Sequence, residues 1–452
     1  MGTMKKFNQA MDMVHGPLLK NIFIFALPLM LANLLEIAFN AADTITVGKF
    51  SGQEALAAVG AVGPIVNLMV ALFNGLAVGS NIVIARQLGS GQKDRISASV
   101  HTSYFLALAG GVLLTVLGFF GSVLFLDLMG TPADIISQST LYLRIYFVGS
   151  IPLLVYNFGS AVLRSKGDTA HPTLYLAIGG VLNVILNLYF VICLQMSVAG
   201  VAIATVISES VSAVMVTVQL MKESGSIHLD LKKIRMDPVI ASSIMKIGIP
   251  AGLQTMMWSI SNVAVQSAIN SFGSTAVAGN SAAANIEGFV YIGMGAFSQA
   301  CITFTSQCAG AGEKQRIKKI FWVLTVLMIV SSWSIGALAW AFGRFFLSLF
   351  TNDSAVIDMG MIRMWHVVFW LWLNGVLDIP ASSLRGMGYS ATPTAAMLLG
   401  IVGVRLLYIA TIWKLDPTLE VLYMCFPLSW VITCVILFFL WKYFYRQFCE
   451  KY

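Results

Sequence analysis

Two carboxylates lie inside the first long apolar run of the sequence, where acidic residues are rare. Glu36 and Asp43 fall within the run from Asn21 to Val47, and their seven-residue spacing places them two helical turns apart, about 10.5 Å along one face. A charge at the centre of a membrane costs about 2.5–3.5 kcal/mol on insertion scales, so an acid kept there is a candidate for function. Two such acids on one face require a polar cavity, a cation or protons.

The composition places these acids in a membrane protein. The sequence is 58% apolar and 10% charged, whereas soluble domains carry about 25% charged residues. The charges cluster between apolar runs of about twenty or more residues, the length that spans a bilayer. We therefore expect an all-α integral membrane protein with twelve transmembrane helices, predicted at 18–47, 55–83, 100–126, 139–162, 172–193, 196–221, 243–271, 276–306, 318–346, 361–383, 393–413 and 417–444.

Lysine and arginine are distributed unequally between the two sides of these spans. Of the 27 Lys and Arg residues, 21 fall on the side of the N-terminus, Arg144 and Arg405 lie within spans, and four lie opposite: Lys49, Arg344, Arg363 and Lys414. The positive-inside rule then predicts both termini in the cytoplasm. The basic surplus is thereby explained, and we expect no nucleic-acid partner. No cleavage-site pattern follows Lys5 and Lys6, so the first run is expected to be a retained helix.

The twelve spans divide into two similar halves. A shift of 221 residues matches Gly52 with Gly273, and it also matches Gly91, Lys93, Arg95, Arg164, Gly167 and Pro172 with Gly312, Lys314, Arg316, Arg385, Gly388 and Pro393. Six spans in each half give both copies the same orientation, so we expect two parallel six-helix repeats around a central cleft. A polar stretch between the halves predicts an N-lobe at 1–221, a cytoplasmic linker at 222–242 and a C-lobe with its tail at 243–452.

The matched loops have a structural interpretation. Gly89, Gly91, Gly310 and Gly312 directly follow predicted helices and are expected to supply left-handed C-caps. No Walker-type Gly-Lys-Ser/Thr follows them, which disfavours a phosphate-binding loop.

Together these motifs resemble those of the multidrug and toxic compound extrusion (MATE) family over about residues 18–440. The residues that carry the resemblance are Asn40-Ala-Ala-Asp43-Thr-x-x-Val-Gly48, the two Gly-x-Gly-x-Lys-x-Arg loops, Leu-Arg-x-x-Gly followed by Pro-Thr in both halves, and Asn183-Val-Ile-Leu-Asn187. The resemblance implies two six-helix lobes facing a central cleft. It also implies export of amphiphilic organic cations against Na⁺ or H⁺.

The resemblance also implies an ion site in the N-lobe. Asp43, Asn183 and Thr205 match the family's positions, whereas Asn187 stands where family members carry a second acid. Helices 1 and 5 run outward and helix 6 runs inward, so these residues are independently expected in the outer half of the membrane. The alternative for the amides and Thr205 is hydrogen bonding between helices. Another branch of the family uses a helix 7 Glu, and the corresponding stretch 258–262 contains no acid, so no C-lobe ion site of that kind is expected.

Other polar residues inside spans are candidates for lining the cleft. They are Glu209, Glu287, Asn157 and Asp378. Asp378 follows Asn157 by 221 residues and lies near the cytoplasmic end of its span, so snorkelling or a hinge role beside Pro380 is an equal alternative. Arg144 and Arg405 are expected to neutralise some of the acids, although the sequence does not pair them.

These observations predict a cation-coupled secondary antiporter that exports amphiphilic organic cations by alternating access. H⁺ is favoured over Na⁺ because Asn187 removes one carboxylate, and Na⁺ at Asp43, Asn183, Asn187 and Thr205 is the alternative. We expect a monomer in the plasma membrane, with the lipid bilayer and small organic cations as partners and no cofactor beyond the coupling ion. We do not expect an enzyme, because the five His are scattered and the six Cys lack metal-ligand spacing.

Three other functions stay open. A flippase for a lipid-linked or amphiphilic metabolite would favour a basic cleft, whereas Glu36, Asp43 and Glu209 are acidic. A polytopic membrane enzyme would need a metal or nucleophile cluster near the interface. A channel would need a repeated filter sequence.

Overall fold

The computed structural model of the chain describes residues 11–451, and these residues are almost entirely helical, with no strand among them. This agrees with the predicted all-α class. Lys5 and Lys6 lie outside the described residues. The first helix, Leu18–Phe50, is unbroken although it contains Pro28.

Residues Leu27–Gly252 pack as one compact unit. Besides most of the first helix, it contains the helices Gln53–Ser90, Lys93–Leu128, Ile136–Val148, Ser150–Ser165, Ala170–Leu188 and Ser197–Lys222. Ser197–Lys222 packs against Ile136–Val148, Ser150–Ser165 and Ala170–Leu188, so it forms the centre of this unit.

Residues Met13–Ala26, together with those from Leu253 onward, form the second compact unit. The longer helices of this part of the chain are Pro238–Asn270, Ser274–Ala311, Lys314–Ala341, Ser354–Arg363, Trp372–Gly386, Ala391–Met397, Val404–Ala410 and Cys425–Lys451. Short helices at Gly343–Ser348, Ile412–Leu415 and Leu419–Tyr423 lie between them. Along the sequence, the first unit ends at Gly252 and the second resumes at Leu253, inside the helix Pro238–Asn270. The predicted boundaries 1–221, 222–242 and 243–452 stay a prediction.

The helices account for all twelve predicted spans. Within residues 11–451, nine helices are long and apolar enough to cross a membrane, or ten if one bent pair counts as a span. The remaining two, Pro238–Asn270 and Ser274–Ala311, have 33 and 38 residues and coincide with predicted spans 243–271 and 276–306. Both carry amide and hydroxyl side chains along their length, which lowers their hydropathy.

The predicted span 139–162 is not one straight helix. Ile136–Val148 and Ser150–Ser165 meet at Gly149 with a bend of 47°. Pro152 explains the break, because it lacks an N–H to bond the carbonyl of Val148 and its ring clashes with that carbonyl in a continuous helix.

The internal repeat is visible in the helix ends. Gln53–Ser90 and Ser274–Ala311 both have 38 residues and begin 221 positions apart. Their C-caps, Gly91 and Gly312, have φ of +70° and +76°, a left-handed conformation that glycine adopts at little cost. The predicted C-caps are therefore confirmed at these two glycines, whereas Gly89 and Gly310 lie within the helices.

The segment 222–242, which was predicted as a linker, belongs to the first unit and packs on its helices. Ile227 and Leu229 are buried in an apolar cluster with Val100, and the backbone N–H of Asp230 donates to His101 Nε2 at 3.1 Å. The backbone N–H of Lys232, 3.0 Å from Asp230 Oδ1, holds the pKa of that exposed carboxyl below its usual range.

Candidate functional site

Four of the predicted site residues form one hydrogen-bonded chain in the first unit. The Asn187 side-chain amide donates to Asp43 Oδ1 and also to Asn183 Oδ1, the latter at 3.1 Å. Asn183 Nδ2 donates to Thr205 Oγ1 at 3.3 Å, and the Thr205 hydroxyl donates to the Val201 carbonyl at 3.0 Å. Asp43 is thereby linked to two other helices through side chains alone.

Helix packing explains why these residues meet. Asn183 and Asn187 are four residues apart and share one helix face. Gly180 lies one turn before Asn183, and a side chain there would overlap the ring of Phe39. The absence of a side chain at Gly180 lets the first helix approach closely, and Asp43, one turn after Phe39, then reaches Asn187.

The environment of Asp43 contains hydrogen-bonding groups but no basic partner. Among residues 11–451, no Lys, Arg or His forms an ion pair with Asp43. Asn187 is fully buried, and its Oδ1 has no hydrogen-bond partner in the described part of the chain. A buried acceptor without a donor is uncommon and costs about 1–3 kcal/mol. The arrangement suits a cation or a proton that binds beside Asp43, because either offers this oxygen a partner.

Glu36 and Glu209 lie outside this hydrogen-bonded chain. Glu36 interacts electrostatically with Arg164 and with Glu209. Tyr142 and Tyr146 are stacked with 6.4 Å between their ring centroids, and Tyr142 interacts electrostatically with both Asp43 and Glu209. These two tyrosines were not predicted as site residues. Their spacing of four residues, which places both on one helix face, could have indicated them.

Two further predicted residues have local partners. Asn157 Nδ2 donates to Asn74 Oδ1 at 2.9 Å within the first unit. Asp378 accepts a hydrogen bond from the Ser298 hydroxyl within the second unit. Neither belongs to the chain around Asp43.

The second unit contains a polar cluster around Arg363 whose location differs from the prediction. Arg363, expected among the charges on the outer side of the membrane, is 8% exposed and forms an ion pair with Glu287 at 2.5 Å. Its other terminal nitrogen donates to Asn280 Oδ1 at 2.7 Å. Glu287, a predicted candidate for lining the cleft, is therefore neutralised by Arg363. The signal was present, because Arg363 falls inside the predicted span 361–383.

The two arginines that were expected to neutralise intramembrane acids have neutral hydrogen-bond partners instead. Arg405 Nε donates to Ser429 Oγ at 3.2 Å, and its Nη1 lies 3.5 Å from Asn262 Oδ1. Arg144 Nε lies 3.3 Å from the Phe119 carbonyl and from Ser122 Oγ. In residues 11–451, neither forms an ion pair with an acid.

The second unit contains a cavity of about 500 Å³ that is lined by Arg363, Glu287 and Arg405. Its wall also carries amides and aromatic rings, which are Asn262, Gln266, Asn280, Asn374, Trp258, Tyr291, Phe426 and Trp430. The volume lies in the range of about 300–1,000 Å³ that is usual for small-molecule sites.

Comparisons with known proteins agree over nearly the whole chain. A model of the MatE family matches residues 28–189 and 250–410. Probable multidrug resistance protein YoeA of Bacillus subtilis is 26% identical over 94% of both chains. Probable multidrug resistance protein NorM of Thermotoga maritima is 25% identical over 86% of this chain and 84% of its own.

Solved structures show the same fold. An outward-facing multidrug resistance MATE family transporter of the MOP superfamily superposes with a TM-score of 0.90 at 21% identity, over 98% of this chain and 99% of that one. A MOP superfamily transporter from Pyrococcus furiosus, for which reverse polarity of the binding pocket suggests a different function, superposes with a TM-score of 0.90 at 21% identity, over 97% of this chain and 98% of that one. The predicted fold class is thereby confirmed.

Proposed function

This chain belongs to the MatE family of membrane transporters, and from that premise we propose that it is a cation-coupled antiporter. In this proposal it exports amphiphilic organic cations or drugs by alternating access, and H⁺ rather than Na⁺ is the coupling ion. The observation that carries the proposal is the contact of Asp43 with Asn187, whose own buried Oδ1 has no partner among the described residues.

The chemistry of this site favours a proton. Asp43 is the one carboxylate of its hydrogen-bonded chain, whose other members are the neutral Asn183, Asn187 and Thr205. One proton neutralises Asp43 without a coordination shell, and a protonated carboxyl can donate to a nearby acceptor such as Asn187 Oδ1. Loss of the charge would also change how the first helix packs, which provides the two-state element that alternating access needs.

Na⁺ is the competing coupling ion. Hard cations take oxygen ligands, and Asp43, Asn183, Asn187 and Thr205 offer four side chains with oxygens in one place. A single carboxylate makes this a weaker sodium site than the pair of acids implied by the family resemblance.

The charge of the cargo is proposed from the first unit. Glu36, Glu209 and Asp43 are acids in or beside spans, and Glu36 and Glu209 interact electrostatically. Acids at membrane depth attract cations, and the relatives YoeA and NorM are named as probable multidrug resistance proteins.

A flippase for a lipid-linked or amphiphilic metabolite is the second candidate. One observation favours it: the cavity of the second unit contains two arginines and one glutamate. A similar fold is reported with a binding pocket of reverse polarity. The enzyme alternative has no comparable support, because the family match and the relatives described above point to a transporter.

We further propose that the protein works as a monomer in the plasma membrane with both termini in the cytoplasm. The excess of Lys and Arg on one side supports this orientation. No cofactor is proposed beyond the coupling ion.

Proteoliposomes test the proposal. The purified protein would be reconstituted into liposomes, and the liposomes would be loaded with ethidium, a lipophilic cation. Ethidium transport would then be followed by fluorescence under a pH gradient alone or a Na⁺ gradient alone. We expect transport with the pH gradient and none with Na⁺ alone. Transport driven by Na⁺ without a pH gradient would overturn the choice of ion. Equal transport of cationic, neutral and anionic dyes would overturn the choice of cargo.

A further inference from the structure

The cavity of the second unit has an excess of positive charge in its wall. Arg363 and Glu287 form an ion pair with an N–O distance of 2.5 Å, and both are less than 9% exposed. Arg405 is 5% exposed and lies close enough to Arg363 and Glu287 to interact electrostatically with both. Because Arg363 already takes the one acid, the lining keeps one net positive charge.

Arg405 has contacts that orient it but none that neutralises it. Its guanidinium lies 4.3 Å from the Phe426 ring centroid and 5.9 Å from that of Trp430. A cation–π contact offsets only part of the desolvation cost of a buried ion that has no acidic partner. Ser429 and Asn262 accept from Nε and Nη1, and Nη2 has no acceptor in the described part of the chain.

We infer that this cavity binds the oxyanion of an amphiphilic organic anion at Arg405. A guanidinium presents two parallel N–H donors that match a carboxylate or phosphate. One negative charge balances the one excess positive charge of the lining. The rings of Trp258, Tyr291, Phe426 and Trp430 in the wall provide a surface for the apolar body of the same ligand.

The size of the cavity agrees with this ligand class. A volume of about 500 Å³ holds an aromatic or alkyl body as well as an anionic group. The site would accept a soluble organic carboxylate or the phosphate end of an anionic lipid, since both present an oxyanion on an apolar body. The inference goes beyond the proposed cation export and does not depend on Asp43.

The test uses three ligands that share a naphthyl body and carry a negative, a neutral or a positive head group. The full-length protein in phosphatidylcholine nanodiscs would be titrated with 2-naphthylacetate, 2-naphthylacetamide and 2-naphthylethylammonium by microscale thermophoresis. We expect naphthylacetate to bind most tightly. Arg405→Gln should weaken naphthylacetate roughly ten- to hundredfold, since hydrogen bonds to charged groups contribute about 1.5–3 kcal/mol, and should leave the neutral amide unchanged.

Two variants keep the test decisive if Arg405→Gln folds poorly. Glu287→Gln removes the competing carboxylate and should tighten naphthylacetate binding, an effect of opposite sign that a purely structural arginine cluster would not give. Arg344→Gln, which changes an exposed arginine of the same unit, should bind like the wild type. Equal naphthylacetate affinity in the wild type, Arg405→Gln and Glu287→Gln would overturn the inference.

The lipid environment identifies the source of the anion. If the site holds a lipid phosphate, phosphatidylglycerol in the nanodisc should compete with naphthylacetate in the wild type but not in Arg405→Gln; without competition the ligand is a soluble anion. Asp43→Asn should abolish coupled export of ethidium and keep naphthylacetate binding. Loss of one property without the other therefore separates this inference from the proposed coupling mechanism.

Discussion

The two halves of the chain place different side chains at positions related by the repeat. Tyr142, beside Asp43 and Glu209 in the first half, corresponds under the 221-residue shift to Arg363 in the second. Glu209 itself corresponds to Trp430, which lines the basic cavity. An acidic, hydrogen-bonded site in one unit thus has a cationic, aromatic counterpart in the other.

The halves agree in the residues that shape the backbone. Gly91 and Gly312 cap equivalent helices with nearly equal positive φ, and Gly167 and Gly388 have φ of +98° and +92°. These positions tolerate little change, because other residues adopt this conformation at a cost. Side chains that line a cavity do not determine the backbone conformation. They can therefore differ between the halves while the helix ends stay the same.

The halves also differ in where the helices are distorted. In the second half, π-helical turns at Met364–Val368 and Leu398–Gly403 directly adjoin Arg363 and the helix that carries Arg405. The equivalent stretches 143–147 and 177–182 are regular α-helix, and the first half has its π-helical turn at Tyr189–Cys193, just after Asn187. Such turns redirect the side chains around them and are frequent at functional sites.

The largest expected effect comes from removing the acid of the first half. Asp43→Asn should reduce ethidium export driven by a pH gradient to the rate of protein-free liposomes, because the site then has no group that can carry the proton. Asp134→Asn, an exposed acid of the same half, serves as the matched control. Coupled export that survives in Asp43→Asn would show that the acidic site of the first half is not the coupling site.

The ion pair of the second half should be the most sensitive point for stability. Arg363→Gln leaves Glu287 buried and unpaired, and should destabilise the protein by roughly 3–5 kcal/mol. Adding Glu287→Gln should restore most of that loss, because no uncompensated charge remains. Thermal melting in detergent would measure both variants. A single variant that melts like the wild type would contradict the assignment of the pair.

The backbone contact at Gly279 in the second half should matter more than the side-chain contact at Gly180 in the first. A Cβ at Gly279 would lie 2.6 Å from the Val356 carbonyl and 2.7 Å from the Gly360 nitrogen. Gly279→Ala should therefore cost about 1–3 kcal/mol, whereas Gly180→Ala meets the Phe39 side chain, which can rotate. Gly288→Ala lies on the same helix as Gly279 with nothing within 4 Å and is the control. Equal melting temperatures for all three variants would refute this difference.

Asn187 distinguishes proton coupling from sodium coupling in the first half. Asn187→Ala removes the donor to Asp43 and should slow coupled export about five- to tenfold without abolishing it, since one hydrogen bond contributes about 1 kcal/mol. Asn187→Asp supplies a second carboxylate and should introduce transport driven by a Na⁺ gradient. If the wild type and Asn187→Asp respond identically to Na⁺, the count of carboxylates does not decide the ion.

The smallest effect is expected at an exposed ion pair. Arg344 and Asp358 approach to 2.6 Å with side chains 69% and 56% exposed. Arg344→Gln should change stability by at most about 1 kcal/mol, because exposed pairs are screened by water and salt. The melting temperatures of Arg344→Gln and Arg363→Gln would be compared. Their difference measures how much of the stability loss at the buried pair comes from burial. A loss as large as that of Arg363→Gln would remove burial as the explanation.

Much of the first half could be predicted from the sequence. Asp43, Asn183, Asn187 and Thr205 were named from their motif and meet in one hydrogen-bonded chain. That prediction came from the family resemblance, and the spacing of Asn183 and Asn187 on one helix face supports it. Glu36 was grouped with them by its seven-residue spacing from Asp43, yet it interacts instead with Glu209 and Arg164, since two turns along a helix exceed the reach of one side chain.

The sequence by itself determined that this is a membrane protein, where its helices lie and that its halves repeat. Hydropathy, helix caps and a constant offset are local or one-dimensional properties, and a chain displays them before it folds. Only the tertiary structure decided that Arg363 pairs with Glu287 and that Arg405 forms no ion pair with an acid among residues 11–451. The paired residues are 76 positions apart, and the close approach of Gly279 and Gly360 brings their helices together. Charge pairing between helices depends on which faces pack, and a list of charged residues in a sequence does not contain that information.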